Sequence, residues 1–110
     1  MTYVVTLQEA AMEDILAIVE YYQKNAGRSV ATQIYQQIND AILSLENMPH
    51  RGHPPHELRQ AVTTDILEVI AGHYRIIYQC TEPEVVVFAV FDGRQDVRTH
   101  LKKRRRRLKL

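Results

Sequence analysis

The chain has a single cysteine, Cys80, so an internal disulfide is excluded. That scarcity fits a reducing cytoplasm, and the place of Cys80 in a β-prone run suits a small buried hydrophobe. No apolar run reaches the roughly 20 residues that a helix needs to cross a bilayer, so no membrane span is expected. The opening residues, MTYVVTLQEAAMEDI, lack the basic flank and long apolar stretch of a secretory signal, and cytoplasmic residence is the expectation. Lysine is missing between Lys24 and Lys102, and no tyrosine follows Tyr78. Internal repeats and long linkers are also lacking, and 110 residues suit one domain with a modest core.

What is present is an ordinary globular composition, 45% hydrophobic and 25% charged, with a net charge of +1 that hides a split. Residues 102–110, KKRRRRLKL, hold seven of the fourteen basic side chains and no acid. The first 101 residues therefore carry seven basic and all thirteen acidic side chains, a balance of −6. This divides the chain into a domain over 1–101 and a basic tail over 102–110. A run of this kind is ordinarily a solvated tail. The functional alternative makes Lys102, Lys103, Arg104, Arg105, Arg106 and Arg107 a contact for nucleic acid or an acidic partner. Folding back onto the acidic body is a third option.

Three β-branched apolar runs, Ile66–Ala71, Tyr74–Cys80 and Val85–Phe91, follow one another closely. Gly72-His73 and Thr81-Glu82-Pro83-Glu84 separate them, which reads as an antiparallel meander. Val85–Phe91 is apolar throughout and is expected either to be covered on both faces or to sit centrally. Ile66–Ala71 carries one charge, Glu68, which suits a strand with one wet position. Upstream, Tyr3-Val4-Val5 reads as a first strand, and Thr6-Leu7-Gln8-Glu9 has the form of a capping box. Ala11, Ile15, Ile18, Val19 and Tyr22 recur at helical spacing as far as a stop at Asn25-Ala26-Gly27. A second helix, from near Ser29 to Pro49, has Val30, Ile34, Ile38, Ala41, Ile42 and Leu45 as its stripe. A loop from His50 to His56 and a turn of helix at Glu57-Leu58-Arg59 precede the meander, and helical spacing returns at Val97, His100 and Leu101. The predicted class is α+β, ordered β-α-α-β-β-β, a helical hairpin packed on a small antiparallel sheet with a basic C-terminal helix or tail.

Arg75 stands out, because a guanidinium inside a β run needs partners. It either bridges to Glu68 or Asp65 on the neighbouring strand or contacts a ligand. His50, His53 and His56 invite a metal reading, but Pro54-Pro55 forbids the helix that would bring the three rings together. A solvated loop without metal is the expectation, and no cofactor motif is present.

The chain resembles the RelE/ParE superfamily of toxins from type II toxin–antitoxin modules, over Tyr3 to about Leu101. The resemblance is carried by A-x-x-D-I at Ala11–Ile15, by Ala31 and Ile38, by L-x-x-x-P-x-x-G at Leu45–Gly52 and by Glu57-Leu58-Arg59. Tyr74-Arg75-Ile76-Ile77-Tyr78, Val85–Phe88 and Asp92-Gly93-Arg94 complete it. It implies a toxin neutralised by a cognate antitoxin in a hetero-oligomer. RelE-like members resemble ribosome-dependent mRNA endonucleases. They use basic residues ahead of the second strand, a strand arginine, a later arginine and a C-terminal tyrosine. Arg75 matches the strand arginine and Arg94 or Gln95 falls near the later one, but Leu101 stands where the tyrosine would fall. The incomplete set favours the ParE-like alternative, a non-enzymatic inhibitor of DNA gyrase. Arg75, Arg94 and Arg98 are then the target-binding candidates. On the nuclease alternative the target is the ribosome with its mRNA, and Arg75, Arg94, His53 and His56 are the catalytic candidates.

Overall fold

An apolar run without a polar side must be covered on both faces, and Val85–Phe91 is buried at every position but Val86. The computed structural model describes residues 2–56 and 65–93. Its elements are β1 (Val4–Leu7), α1 (Glu9–Ala26), α2 (Arg28–Leu43), a 3₁₀ turn (Ser44–Glu46), β2 (Ile66–Ala71), β3 (Tyr74–Thr81) and β4 (Glu84–Asp92). This is the expected α+β order. The sheet runs β1-β4-β3-β2, so β4 is central. The meander is antiparallel, whereas β1 pairs with β4 in parallel, Val4 beside Glu84 and Leu7 beside Val87. The sheet is therefore mixed rather than purely antiparallel, because the hairpin of helices returns the chain to the far edge before β2 begins. The turn of helix expected at Glu57–Arg59, the helical spacing at 97–101, Arg94, Arg98 and the basic tail lie outside the described residues.

The two faces of the sheet bury different sets. On the helix side Ile15, Ile38, Ile42 and Leu45 meet Val69, Tyr74, Ile76, Tyr78, Val85, Val87 and Val90. The other face buries Ile66, Ile77, Phe88, Ala89 and Phe91. Ile18, Val19 and Ile34 complete the helical stripes but are only partly buried. Enclosing a side chain as Ile38 is enclosed contributes about 2–5 kcal/mol against its truncation to Ala.

Between Ile77 and Tyr78 the register slips, and Phe88 becomes an extra residue on β4. The slip switches β4 from odd to even positions on the helix face, which is why Val85 and Val87 share a cluster with Val90. β1 has ended at Leu7 by then, so the outer edge of β4 beyond Val87 lacks a strand. Helix α1 supplies the missing acceptor: the Asp14 carboxylate takes the Val90 N–H at 3.0 Å.

Three local expectations are corrected. Thr6 lies in β1, opposite Val86, and the helix begins after Gln8 with no side-chain cap, so the capping box is not formed. Strand pairing has claimed the threonine. Helix α2 ends at Leu43, ahead of Pro49, where the Ser44 hydroxyl donates to the Ala41 carbonyl at 2.6 Å and tightens the chain into the 3₁₀ turn. In β2, Glu68 is buried and Ile70 is 50% exposed, the reverse of the expected single wet position. The predicted stop of α1 does hold, with Gly27 in the left-handed region at φ +94°.

Replacing Asp14 by Ala leaves the partly buried Val90 amide without its acceptor. The expected loss of stability is about 1–3 kcal/mol, read as a lowered urea midpoint with unchanged slope.

Candidate functional site

Arg75 sits opposite Ile70 in the β2–β3 ladder, and Glu68 lies two residues along on the same face. That diagonal is within reach of a long side chain. The guanidinium gives both Nε, at 2.8 Å, and Nη2, at 2.6 Å, to one oxygen of the Glu68 carboxylate. Arg75 is 7% exposed and Glu68 5%, so the pair is shielded and its charges are weakly screened. Of the two readings open for Arg75, a bridge within the sheet or a ligand contact, the bridge is formed, and to Glu68.

A cavity of about 380 Å³ opens beside this pair. Its wall includes His56, Glu68, Ile70, His73, Tyr74, Arg75 and Asp92, with Gly72 and Gly93 at the turns. One short hydrogen bond and one tight turn fix the rim. Gly93 donates its N–H to the His73 carbonyl at 2.7 Å, joining the β2–β3 turn to the end of β4. Gly72, at φ +60°, makes that turn, and a side chain there would strike the Gln37 amide of α2. The exposure of Ile70 follows from its place on this open end of the face, beyond the covered cluster around Ile66 and Phe88.

The histidine loop reaches the same region by a different route. His53 forms an antiparallel bridge with Glu68, its N–H donating to the Glu68 carbonyl at 3.1 Å and its carbonyl accepting the Glu68 N–H at 2.8 Å. Its ring is 66% exposed and stands 3.9 Å from the Glu68 carboxylate. His56 lines the cavity, whereas His50 packs edge-on against Tyr3 and lies 3.9 Å from the Cys80 sulfur. The three rings thus face three different neighbours, and among the described residues no three acidic, histidine or cysteine side chains gather as metal ligands. Arg75 and His56 come together. His53 stands beside the pair without lining the cavity. Arg94, Arg98 and the tail cations fall outside the described residues.

Sequence reasoning missed Tyr78, Gly52, His73 and Asp92. Tyr78 is fully buried, and its hydroxyl accepts the Gly52 N–H at 3.0 Å. Burial pushes its phenol above the ordinary value of 10.0, and the Gly52 hydrogen bond only partly opposes this. Cys80 is raised too, first by burial and then by the nearby Glu82 carboxylate, so its thiol is a poor nucleophile at neutral pH. Y-x-x-x-Y and P-x-x-G spacing held the signal for Tyr78 and Gly52, but nothing in a linear string pairs them.

Comparison with known proteins then decides the family. The profile described as "ParE toxin of type II toxin-antitoxin system, parDE" matches residues 5–97. The chain belongs to the ParE toxin family. Solved structures of similar fold include the chromosomal ParDE system of P. aeruginosa, at 14% identity and TM-score 0.67, covering 83% of this chain and 96% of that one. The RelBE2 toxin–antitoxin complex of Mycobacterium tuberculosis gives 18% identity and TM-score 0.62, covering 84% and 92%. A mutant of the E. coli toxin RelE in the free state gives 16% and 0.54, covering 94% and 98%. At these identities the likeness is one of fold. No curated protein matches the chain. The described part of this ParE-family toxin has no helix long and apolar enough to cross a membrane.

Two measurements test the site's electrostatics. Replacing Glu68 by Ala strands a buried guanidinium and is expected to cost about 3–5 kcal/mol, whereas Glu68→Leu with Arg75→Met recovers most of that loss. Tyr78 holds its proton in the folded chain at pH values where the unfolded chain releases it. Its contribution is therefore complete below pH 10.0 and is lost as pH rises from there through the raised folded value. Tyr78→Phe should show a shallower fall in stability above that pH in denaturant titrations.

Proposed function

We propose that this toxin acts as a ParE-like inhibitor of DNA gyrase in the cytoplasm and is held inactive by a cognate antitoxin. One observation carries the reading. The strand arginine that a nuclease would present to a phosphate gives Nε and Nη2 to a buried carboxylate in this fold. A cation committed in this way contributes structure and shape to a binding surface more readily than it meets a charge that develops in a transition state. The ParE profile over residues 5–97 agrees with this choice. The RelE-like alternative keeps one observation in its favour, the presence of His56 and Arg75 on one cavity wall.

Support for an antitoxin comes from the relatives, two of which are named as paired toxin–antitoxin systems. The helical hairpin offers a seat. Met12, Leu16 and Tyr35 stand exposed over Ile15, Ile38 and Ile42, lining an apolar groove of about 180 Å³. Glu9, Glu13 and Glu20 rise beside it on α1. An antitoxin segment with apolar anchors and a few basic residues fits that strip. The basic tail, Lys102 to Arg107, is assigned to contact with nucleic acid near the target.

Expressed without its antitoxin, the chain should arrest growth with signs of DNA damage. Purified, it should inhibit gyrase supercoiling, promote gyrase-linked breaks and leave ribosome-bound mRNA intact, with Arg75→Ala giving a graded loss. Codon-positioned mRNA cleavage that Arg75→Ala reduces about 10²–10³-fold would overturn this reading in favour of the nuclease.

A further inference from the structure

We infer that Tyr78 is a positioning residue for the cavity beside Arg75, acting through Gly52 to hold the His53–His56 loop in place. The inference rests on the reading that this cavity belongs to the toxin's functional surface. Tyr78 lies opposite Leu67 on the helix side of the sheet, and its hydroxyl meets Gly52 beside Glu68 on the outer edge of β2. The ring therefore spans the width of β2 and joins the core to the loop.

The junction admits nothing larger than glycine. A Cβ at position 52 would come 2.5 Å from the Glu68 carbonyl oxygen and 2.6 Å from the Tyr78 hydroxyl. From this point the loop is stiff. His53 exchanges two backbone hydrogen bonds with Glu68, the residue whose side chain holds Arg75. Pro54 and Pro55 then fix two successive φ angles, and Pro55 is fully buried. His56 follows at once on the cavity wall. A displacement at Gly52 has little freedom in which to dissipate before it reaches His56.

Tyr78 also couples the loop to the Arg75–Glu68 pair without touching either charge. The N–H of Gly52 finds its acceptor on Tyr78, and the neighbouring amide of His53 finds its acceptor on Glu68. Removing the hydroxyl alone keeps the aromatic body in the core and leaves one amide of the loop without its acceptor.

The test uses the full chain with Tyr78→Phe and, separately, Gly52→Ala, followed by amide hydrogen exchange in NMR and by growth inhibition on expression. Both variants should speed exchange at His53 and Glu68 about tenfold or more, the equivalent of one lost hydrogen bond. Ile76 and Val90, in the middle of the sheet, should stay within about twofold of the parent once global stability is allowed for. Toxicity should fall in both. Ile18→Ala, a change on the core side of α1 away from both the loop and the apolar groove, serves as a control of moderate stability loss and should remain toxic. Uniform acceleration at all four amides would overturn the inference, as would unchanged toxicity with a loosened loop, or a control that loses toxicity equally. If the parent chain itself does not inhibit growth, the gyrase reading fails, and the positioning role then stands or falls on the local exchange pattern alone.

Discussion

The buried pair of Arg75 and Glu68 is the constraint around which the open end of the sheet is arranged. Each partner alone would be intolerable at its depth, since an unpaired charge out of water costs several kcal/mol. Together they fix the pairing of β2 with β3. Side chains alternate across a sheet, so a slip of one residue would leave the two charges on opposite faces, one of them in the helix-side layer of Val69, Ile76 and Val90. The register seen, with Arg75 opposite Ile70, keeps them on one face and within reach. The same register brings the Glu68 backbone to the free edge of β2, where His53 adds its bridge.

A division of labour follows from the two sides of the sheet. The helix side is apolar and closed at its centre, and its outer hairpin leaves Met12 and Leu16 in water. The opposite side changes along its length, from the sealed cluster of Ile66, Ile77 and Phe88 to the open cavity where His56, Arg75 and Asp92 join Ile70 and Tyr74. One surface thus offers hydrophobic area alone, and the other adds charge and hydrogen bonds to it. A molecule divided in this way can meet two different partners through two different chemistries.

Much of this was legible in the residues. The unbroken run Val85–Phe91 announced a central strand, and Gly72-His73 announced the turn before β3. The helical stripes named Ile15, Ile38 and Ile42, and Arg75 declared that it needed a partner, with Glu68 among those it could reach. What failed did so because local patterns compete with long-range pairing. Thr6 carried a capping signal but was taken by β4, opposite Val86. Glu68 looked like a solvent position because a lone charge in a strand reads as wet, although Arg75, seven positions on, meets it across the ladder. The Phe88 bulge left no mark in an apolar run, and the role of Asp14 depends on that bulge. Leu45, Pro49 and Gly52 were visible as a spaced motif. Their reason is spatial: Leu45 and Pro49 are buried, and Gly52 fits under Tyr78.

The parallel pairing of β1 with β4 has a consequence in time. Val4 leaves the ribosome some eighty positions ahead of its partner Glu84. Contacts of such long separation form slowly, and at about 5–20 residues per second the first strand waits several seconds for its neighbour to be made. The sheet that carries the Arg75 cavity therefore cannot close while the chain is being translated through its middle. The interval before the sheet closes is open for a partner to arrive.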